Sequence, residues 1–175
     1  LELTETLRDK NKHGSLLWVL DRTKTAMGAR FLRNLLEKPL LGIPEIEARQ
    51  DAIQEFLSRY IDREELREYL APIYDMERLM GRITLGSANA RDMLAFGSSI
   101  AALPPIKDLL QSFSAPLLRN FSQSLDDLRD LSALLARAIA DDPPLTLREG
   151  HIIKDGYHED VDRYRRASTE GKQWL

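Results

Sequence analysis

Residues 126–130, Asp-Asp-Leu-Arg-Asp, carry the side chains that could most directly bind a metal ion. Carboxylates four positions apart lie on one face of a helix, and Mg²⁺ prefers hard oxygen ligands that it can share with phosphates. Asp126, Asp127 and Asp130 would then form a magnesium–diphosphate site. Such a site needs a second aspartate-rich helix, whereas the acidic pair in the stretch ADDPP lies at a helix end. We therefore expect Asp126 and Asp127 to be first-turn charges that stabilise the helix they open.

The other patterns that resemble sites of chemistry each lack an essential part. Residues 81–87, GRITLGS, have the G-x-x-x-x-G spacing of a phosphate-binding loop, but the lysine that reaches the phosphates is absent. His13, His151 and His158 share no metal-ligand spacing, and His158 with Asp162 would supply only two ligands. The sequence contains no G-x-S-x-G motif and no convincing Ser–His–Asp set. It therefore predicts no catalytic residue, no cofactor site and no metal site.

Positive charge is concentrated near the start of the chain. Residues 8–38 contain eight basic and three acidic residues, a net charge of +5, which leaves −8 for the rest of a chain whose total is −3. A basic surface can neutralise the phosphates of a nucleic acid. The more ordinary interpretation is a solvated helix face, and the sequence favours it. The acidic total argues against a dedicated nucleic-acid coat protein.

Length and composition are those of one soluble globular domain. The chain has 175 residues, of which 43% are hydrophobic and 30% charged, so disorder is not expected. We find no signal peptide and no uninterrupted apolar run of the roughly 18–20 residues that a membrane span requires. The absence of cysteine excludes disulfides and thiol chemistry and fits a reducing compartment. We expect a cytoplasmic protein that does not associate with membranes.

The elements that must position any site are predicted to be helices, because apolar residues recur at helical spacing over most of the chain. Candidate N-caps precede several segments: Ser15, Thr25, Asn89, and Asp62 with Glu65 as a capping-box variant. Prolines are expected to end segments at three places: Pro39, Pro104-Pro105 and Pro143-Pro144. Residues 111–124 form a polar, Ser-rich stretch between two predicted helices.

Apolar stripes indicate which helix faces are buried. One buried stripe is predicted on the helix after Pro44: Ile46, Ile53, Phe56, Leu57 and Tyr60. The next helix is predicted to bury a second set: Leu66, Tyr69, Leu70 and Ile73. A further helix before Pro143 is marked by leucines and one isoleucine: Leu125, Leu128, Leu131, Leu135 and Ile139.

The pattern changes after Pro144. Leu145 and Leu147 alternate with polar residues, and the pair Ile152-Ile153 lies between two Gly turns. This alternation predicts a small two-stranded β-ribbon near residues 145–156, followed by a charged helix. The predicted fold is therefore mostly α: an irregular multi-helical core domain over residues 1–157, and a protruding C-terminal helix over residues 158–175.

Four stretches, in this order and with these gaps, carry a resemblance to a known family. They are residues 14–40 (GSLLWVLDRTKTAMGARFLRNLLEKPL), 73–83 (IYDMERLMGRI), 86–96 (GSANARDMLAF) and 141–164 (DDPPLTLREGHIIKDGYHEDVDRY). Together they closely resemble the core, or lever, domain of the MutS family of DNA mismatch-repair ATPases, and the bacterial branch in particular. The match extends over essentially the whole chain.

The resemblance implies a role within a larger protein. Proteins of that family are homodimeric clamps on mismatched double-stranded DNA, and they act in the DNA damage response with a MutL-type partner. An N-terminal domain inserts an aromatic wedge at the mispair, and a C-terminal domain hydrolyses ATP with Mg²⁺. The core lies between them and sends lever helices to a clamp domain. This chain contains neither the wedge motif nor a Walker A loop, so we expect an excised, non-catalytic scaffold that binds DNA weakly or not at all.

The resemblance also implies which residues matter. The ribbon around Ile152 and Ile153 would anchor the lever helix, with residues 158–175 forming its outgoing start toward an absent clamp domain. The candidate interdomain positions are Arg148, Asp155 and Gly156 at the lever root, with Asp21 and Arg30 on the first helices. His158 stands where many relatives have Asp and is a poorer N-cap, so we expect a looser helix start. Tyr164 and Trp174 are expected to mediate self-association, or the last turns to fray.

Two other interpretations stay open from the sequence. One is a free-standing helical adaptor that binds a partner protein through an apolar groove. The other is an Mg²⁺-dependent diphosphate enzyme that uses the three aspartates of residues 126–130.

Overall fold

The computed structural model describes residues 2–173, with side chains described through residue 168. The described elements follow one another as helices α1 Leu16–Leu20, α2 Ala26–Glu37, α3 Ile43–Ser58, α4 Tyr60–Leu70, α5 Met76–Thr84, α6 Ala90–Ala101, α7 Leu103–Gln111, α8 Pro116–Ser124, α9 Arg129–Ala138 and α10 Glu159–Gln173, with a 3-10 turn at Leu147–Glu149 before α10. The mostly α prediction is confirmed.

Three of the predicted N-caps are confirmed by their hydrogen bonds. Ser15 Oγ accepts from the backbone N–H of Trp18 at 3.3 Å, and Thr25 Oγ1 accepts from that of Gly28 at 3.0 Å. Asn89 and Asp92 cap each other, because each side chain accepts from the other's backbone N–H at 2.9 Å. Each cap satisfies a donor that a helix start would otherwise leave unpaired.

The predicted capping box at Asp62 is wrong. Helix α4 begins two residues earlier, at Tyr60, so Asp62 lies within its first turn. The Asp62 carboxylate instead accepts from Nε of Arg59 at 2.8 Å. A residue inside the first turn of a helix cannot act as the N-cap of that helix.

The chain divides into two compact units. The first unit comprises Leu1–Glu77 and Ala102–Asp127, and the second comprises Arg78–Ala101 and Leu128–Leu175. The core of the first unit is made of small and aliphatic residues around one phenylalanine: Ala52, Ile73, Ile106, Leu110, Phe113, Ala115 and Leu118. It forms where α8 packs on α3 and α7, and where α4 packs on α3 and α7. Its residues come from both stretches of the unit, so neither stretch builds it alone.

The apolar stripes predicted on α3 and α4 have different outcomes. The α4 stripe is confirmed, because Leu66, Tyr69 and Leu70 pack on the core and Ile73 is buried in it. The prediction of one buried stripe on α3 is wrong: Ile53, Leu57 and Tyr60 are 57%, 60% and 62% exposed. Helix α3 turns Ala52 and Phe56 toward the core. Ile53 and Leu57 each lie one position, or about 100°, away from that face.

The region between residues 103 and 124 also differs from the prediction. Pro104 and Pro105 do not simply end a helix; they lie in the first turn of α7, where a missing backbone N–H costs nothing. The Ser-rich stretch contains α8, which likewise has a proline in its first turn. Its Ser122 is buried and donates a hydrogen bond to the carbonyl of Lys107 at 3.0 Å. A serine whose hydroxyl has a hydrogen-bond partner is tolerated in a core. The helix was not predicted because the stretch was interpreted from its polarity alone.

The second unit is built around the packing of α6 on α9. Phe96 and Ile100 of α6 and Leu135 and Ala138 of α9 are buried. A Cβ atom at Gly97 would lie 3.3 Å from Cβ and Cδ1 of Leu135, so a larger residue there would require the Leu135 side chain to shift by a few tenths of an ångström.

The start of α9 removes the geometry that a magnesium site would need. Leu128 has a left-handed backbone, with φ of 48°, and α9 begins only at Arg129. The prediction that Asp126 and Asp127 are first-turn charges is therefore wrong; of the three aspartates, Asp130 alone lies in the first turn. Because Asp126 precedes the helix, it does not share a helical face with Asp130.

The predicted β-ribbon over residues 145–156 is wrong. Residues 147–149 form a 3-10 turn rather than a strand, because Thr146 and Glu149 make a capping box. Ile153 instead forms an isolated antiparallel bridge with Ile139, just after the end of α9. The β-branched pair was correctly placed in extended backbone, but its partner lies before Pro143 rather than after it.

By length and composition alone, one helical stretch within the described residues, Ala90–Gln111, could cross a membrane. The same composition occurs in core helices of soluble proteins, and four of its large apolar side chains are buried: Phe96, Ile100, Ile106 and Leu110. The division at residue 157 into a core and an outgoing helix stays a prediction.

Candidate functional site

The backbone before α10 is bound to that helix by two side chains of the helix itself. Arg165 donates through Nη1 to the carboxylate of Asp155 and through Nη2 to the carbonyl of Ile153, the latter at 3.0 Å. Asp162 Oδ2 accepts from the backbone N–H of Gly156 at 2.9 Å. We call these five residues, Ile153, Asp155, Gly156, Asp162 and Arg165, the α10 root.

Burial distinguishes the members of the α10 root. The side chain of Arg165 is 21% exposed and that of Asp162 is 23% exposed, whereas Asp155 is 87% exposed. Bonds to ionised groups are stronger than neutral ones, and they are screened less where water is excluded. The attachment therefore depends on the two helix residues, and Asp155 holds the arginine from its solvent side.

The α10 root is in turn fixed to α9. The backbone N–H of Ala140 donates to the carbonyl of Ile152 at 2.8 Å, and the backbone N–H of Lys154 donates to the carbonyl of Ala138 at 2.9 Å. The ammonium of Lys154 also lies 2.6 Å from the carboxylate of Asp141. A continuous path of bonds thus leads from α9 through residues 152–154 to α10.

Left-handed residues shape the loop on both sides of this path. Gly150 has φ of +73°, His151 of +54° and Gly156 of +80°. Upstream, Thr146 donates from its hydroxyl to Glu149 at 2.7 Å. That hydrogen bond and the one from the Thr146 backbone lower the pKa of Glu149, so the capping box is present at neutral pH.

The candidate lever-root residues are placed as follows. Asp155 and Gly156 belong to the α10 root, whereas Arg148 lies exposed in the 3-10 turn and makes none of its contacts. The sequence did not single out Arg165, and it named Asp162 only as a companion of His158. The sequence did contain a pattern that could have indicated them: Asp162 and Arg165 are opposite charges three positions apart on a predicted helix that follows an Asp-Gly turn.

Helix α10 is joined to the preceding turn at His158, whose backbone carbonyl accepts from the N–H of Asp162 at 3.1 Å. A looser start at this position stays a prediction. Tyr164 is 67% exposed, with the guanidinium of Arg163 at 5.2 Å from its ring centre. Trp174 lies outside the described residues, so self-association through these two aromatic residues stays a prediction.

Asp21, in the first unit, closes the end of α1. Its carboxylate accepts from Nζ of Lys12 at 2.6 Å, and from the hydroxyl and backbone N–H of Thr23 at 2.7 and 3.2 Å. The bond from Lys12, followed by that from the Thr23 hydroxyl, lowers the pKa of Asp21 from 3.8 to about 2. The residue joins the segment before α1 to the turn before α2, a structural role.

Arg30, also in the first unit, ties α2 to the start of α5. Its Nη1 and Nη2 donate to the two carboxylate oxygens of Asp75 at 2.6 and 2.7 Å, and its Nε donates to Glu77 at 3.1 Å. The bond to Asp75, then that to Glu77, raises the pKa of Arg30 above its already high ordinary value. The two-pronged geometry fixes orientation more than it adds stability, because half of the arginine side chain is exposed.

Glu55 and Arg59 of the first unit hold the turn between α7 and α8. Glu55 accepts from the backbone N–H groups of Ser114 and Ala115 at 2.7 and 2.6 Å, at the start of α8. Arg59 donates to the carbonyl of Ser112 at 2.6 Å, and its guanidinium lies 4.1 Å from the ring centre of Phe113. The sequence did not predict this network, because Glu55 and Arg59 are more than fifty positions away from the residues that they bind.

Desolvation acts to raise the pKa of Glu55. The N–H groups of Ser114 and Ala115, together with the charge of Arg59, outweigh it and lower the pKa below the ordinary value. The carboxylate is therefore ionised at neutral pH and serves as the N-terminal acceptor of α8.

None of these networks has the composition of a reaction centre. Over the part of the chain that the structure describes, no group of three or more His, Asp or Glu residues is arranged to hold a metal ion. His13 packs against the ring of Trp18, with ring centres 4.2 Å apart. The networks described above connect neighbouring helices and loops within each unit.

Comparison with known proteins places the chain in a family. The sequence model of MutS domain III matches residues 1–173. Three similar proteins, each called DNA mismatch repair protein MutS, are from Lachnoclostridium phytofermentans (57% identical), Acetivibrio thermocellus (50%) and Bacillus subtilis (45%). Each alignment covers 175 residues, all of this chain, and 19% or 20% of the relative. The chain thus spans about a fifth of the length of these relatives.

Proposed function

The chain belongs to the MutS domain III family, and from this membership we propose that it acts as the helical core of a DNA mismatch-repair protein. In this role it catalyses no reaction. It holds the lever helix α10 at a defined orientation, so that movement at one site of the larger protein reaches another. Packed helices that move as rigid bodies can carry the roughly 1–3 kcal/mol that is typical of allosteric coupling.

The observation that carries this proposal is the α10 root. A helix whose first turns were merely solvated would not need a largely buried arginine bonded to the loop before it. Arg165 and Asp162 bind that loop, and the loop is bonded to the end of α9. The first turns of α10 are therefore connected by hydrogen bonds, through residues 152–154, to the end of α9, which packs on α6.

The remaining activities belong to the larger protein in this proposal. That protein recognises mismatched double-stranded DNA as a homodimer, binds ATP and Mg²⁺ in another domain, and works with a MutL-type repair partner in the cytoplasm. It would take part in the response to DNA damage.

The sequence of the source gene on both sides of these 175 codons tests the proposal. We expect a clamp-sized insertion after Leu175, then a second lever helix, then a G-x-x-x-x-G-K-[ST] loop in the same reading frame. An aromatic wedge motif is expected upstream. A stop codon soon after Leu175, with no such segments in frame, would contradict the proposal.

A free-standing adaptor is the second candidate, and one surface of the first unit favours it. Ile53, Leu57 and Ile61 are 57%, 60% and 79% exposed, along the outer side of α3 and the start of α4. Isolated exposed apolar residues are ordinary, but several within one short stretch of the chain favour a surface that a partner protein covers. The adaptor takes precedence if the reading frame ends soon after Leu175 and Leu57→Glu abolishes binding of a partner recovered with the wild-type chain.

A further inference from the structure

Two acidic side chains lie near one arginine at the α10 root. Arg165 Nη1 is bonded to Asp155, which belongs to the loop, and lies 3.9 Å from Oδ1 of Asp162, which belongs to α10 itself. Asp162 is meanwhile bonded through its other oxygen to the N–H of Gly156. Asp162 and Arg165 of α10 thus make their shortest bonds to the loop, whereas the contact between the two side chains themselves is long, at 3.9 Å.

Separation of the loop from α10 would not leave these charges unpaired. Asp162 and Arg165 are three positions apart on one helix, the spacing at which opposite charges meet. If the loop withdrew, Asp162 would lose Gly156, Arg165 would lose Asp155 and Ile153, and the two side chains would bind each other. An uncompensated charge at a partly buried position is costly, and this exchange avoids that cost.

The surroundings permit such a movement. An open depression of about 710 Å³ borders the loop and is lined by Ala136, Arg137 and residues 154–158. The left-handed Gly156 adjoins the bond that must open, and glycine reaches other backbone conformations without a steric penalty. The other end of the segment, residues 152–154, stays bonded to the end of α9. Movement is therefore confined to the joint between Asp155 and α10.

We infer that Arg165 is a two-position latch at the base of α10: it binds Asp155 and the Ile153 carbonyl in one state and Asp162 in the other. The helix then has two discrete attachments to its loop and is not rigidly clamped at a single angle. This inference deepens the proposed function and rests on it, because a lever that signals must have more than one stable position.

Distances between spin labels test the latch in the 175-residue chain. Ala133→Cys on α9 and Ala167→Cys on α10 provide exposed labelling sites, and the chain has no cysteine of its own. Asp155→Asn weakens the loop partner and leaves Asp162 available. We expect it to shift the most frequent distance to a second value with a distribution as narrow as that of the wild type. Adding Asp162→Asn to Asp155→Asn removes the charge of both carboxylates of the latch and is expected to broaden the distribution.

A matched control and a second readout sharpen the test. Asp160→Asn changes a carboxylate in the same first turn that pairs with Arg163 and not with the loop, and it should leave the wild-type distance unchanged. In Asp155→Asn the Gly156 amide should exchange its hydrogen roughly tenfold faster, because Asp162 has left it for Arg165. An unchanged exchange rate at Gly156 would overturn the latch.

The outcomes separate failure of the latch from failure of the proposed function. If Asp155→Asn gives a broad distribution that resembles the double variant, the root is a simple anchor; the latch is overturned and the lever proposal keeps its support. If neither Asp155→Asn nor Arg165→Met changes the distance, the α10 root does not position the helix. That result overturns the latch and removes the observation on which the proposed function depends.

Discussion

Single residues decide whether the loop before α10 can adopt its shape. Gly156 has φ of +80° and presents its N–H to Asp162, while the residue before it presents a carboxylate to Arg165. The carboxylate of Asp155 and the N–H of Gly156 thus bind two different residues of α10, and the left-handed backbone of Gly156 places both groups for these bonds. No atom lies within 4 Å of the position that a Cβ would take at Gly156, so the conformation, and not crowding, calls for glycine.

Gly156→Ala should therefore destabilise the folded chain by about 1 kcal/mol, the cost of placing a residue with a Cβ in the left-handed region. Gly81→Ala is the matched control, since Gly81 lies inside α5 with open space around it and an ordinary helical backbone. That change should stabilise the fold by up to about 1 kcal/mol. Urea unfolding measures both, and equal effects of the two changes would refute the role of φ.

Asp21 is expected to make stability depend on pH in the acid range. Its pKa is about 2 in the folded chain and 3.8 ordinarily, so the carboxylate stabilises the folded state above pH 3.8. This contribution is lost as the pH falls through 3.8 toward 2. Because the Lys12 side chain is half exposed, solvent screening limits the contribution to about 1 kcal/mol. Asp21→Asn should be less stable than wild type at pH 7, and the difference should shrink as the pH falls below 3.8 and be lost only below about pH 2 in urea titrations.

At the scale of elements, the start of one helix, α8, is held by side chains of another helix and not by a cap of its own. Helix α8 shows no side-chain N-cap of its own. Glu55 of α3 supplies the missing acceptors, and Arg59 binds the carbonyl of Ser112 just before it. The start of α8 is thus fixed by the end of α3.

Glu55→Gln should destabilise the chain by about 1–2 kcal/mol, because a neutral amide offers one acceptor oxygen to two backbone donors and no charge to the helix start or to Arg59. Glu47→Gln on the exposed part of the same helix should change stability by less than about 0.5 kcal/mol. Urea midpoints compared at constant slope give both values. A Glu55 effect no larger than that of Glu47 would mean that water replaces the carboxylate at α8.

Local signals predicted the elements that depend on neighbours in sequence. Ser15, Thr25 and Asn89 were recognisable as caps because each bonds within three residues. Helix α8 was missed because its buried serine is satisfied by Lys107, fifteen positions away. The ribbon was wrong for a similar reason: Ile153 pairs with Ile139 across two prolines, and no local pattern reveals that register.

The same limit applies to the candidate sites. Asp155 and Gly156 could be proposed from an Asp-Gly turn that precedes a helix, but Arg165 acquires its role only when α10 brings it back to the loop. Arg30 was named without its partners, since Asp75 is forty-five positions further on. Glu55 could not be found, because an exposed and a buried glutamate look alike on a charged helix.

At the scale of the whole molecule, the distribution of charge determines what strength and salt dependence we expect for binding to nucleic acid. The total of −3 with +5 over residues 8–38 leaves one basic stretch on an acidic protein. Part of this charge is already paired within the first unit, as Lys12 is with Asp21 and Arg30 with Asp75. Phosphate contacts without base contacts give binding that depends on salt and ignores sequence.

We therefore expect weak binding to duplex DNA that falls steeply with salt and is equal for matched and mismatched duplexes. Lys24→Glu should lower the affinity for both duplexes to the same extent, whereas Arg119→Glu, an exposed site in the same unit but outside the basic stretch, should have a smaller effect. Fluorescence anisotropy over a salt series provides the measurement. A preference for the mismatched duplex by this chain alone would contradict the proposal that recognition lies in another domain.

The interleaving of the two units also sets the order in which a ribosome delivers their parts. Helix α6 is synthesised before residues 102–127 of the first unit, and its partner α9 follows only after residue 127. During that interval Phe96 and Ile100 face no Leu135, and the growing chain presents an apolar helix of the kind that chaperones bind. Of the two units, the one that carries α10 is therefore completed second during synthesis.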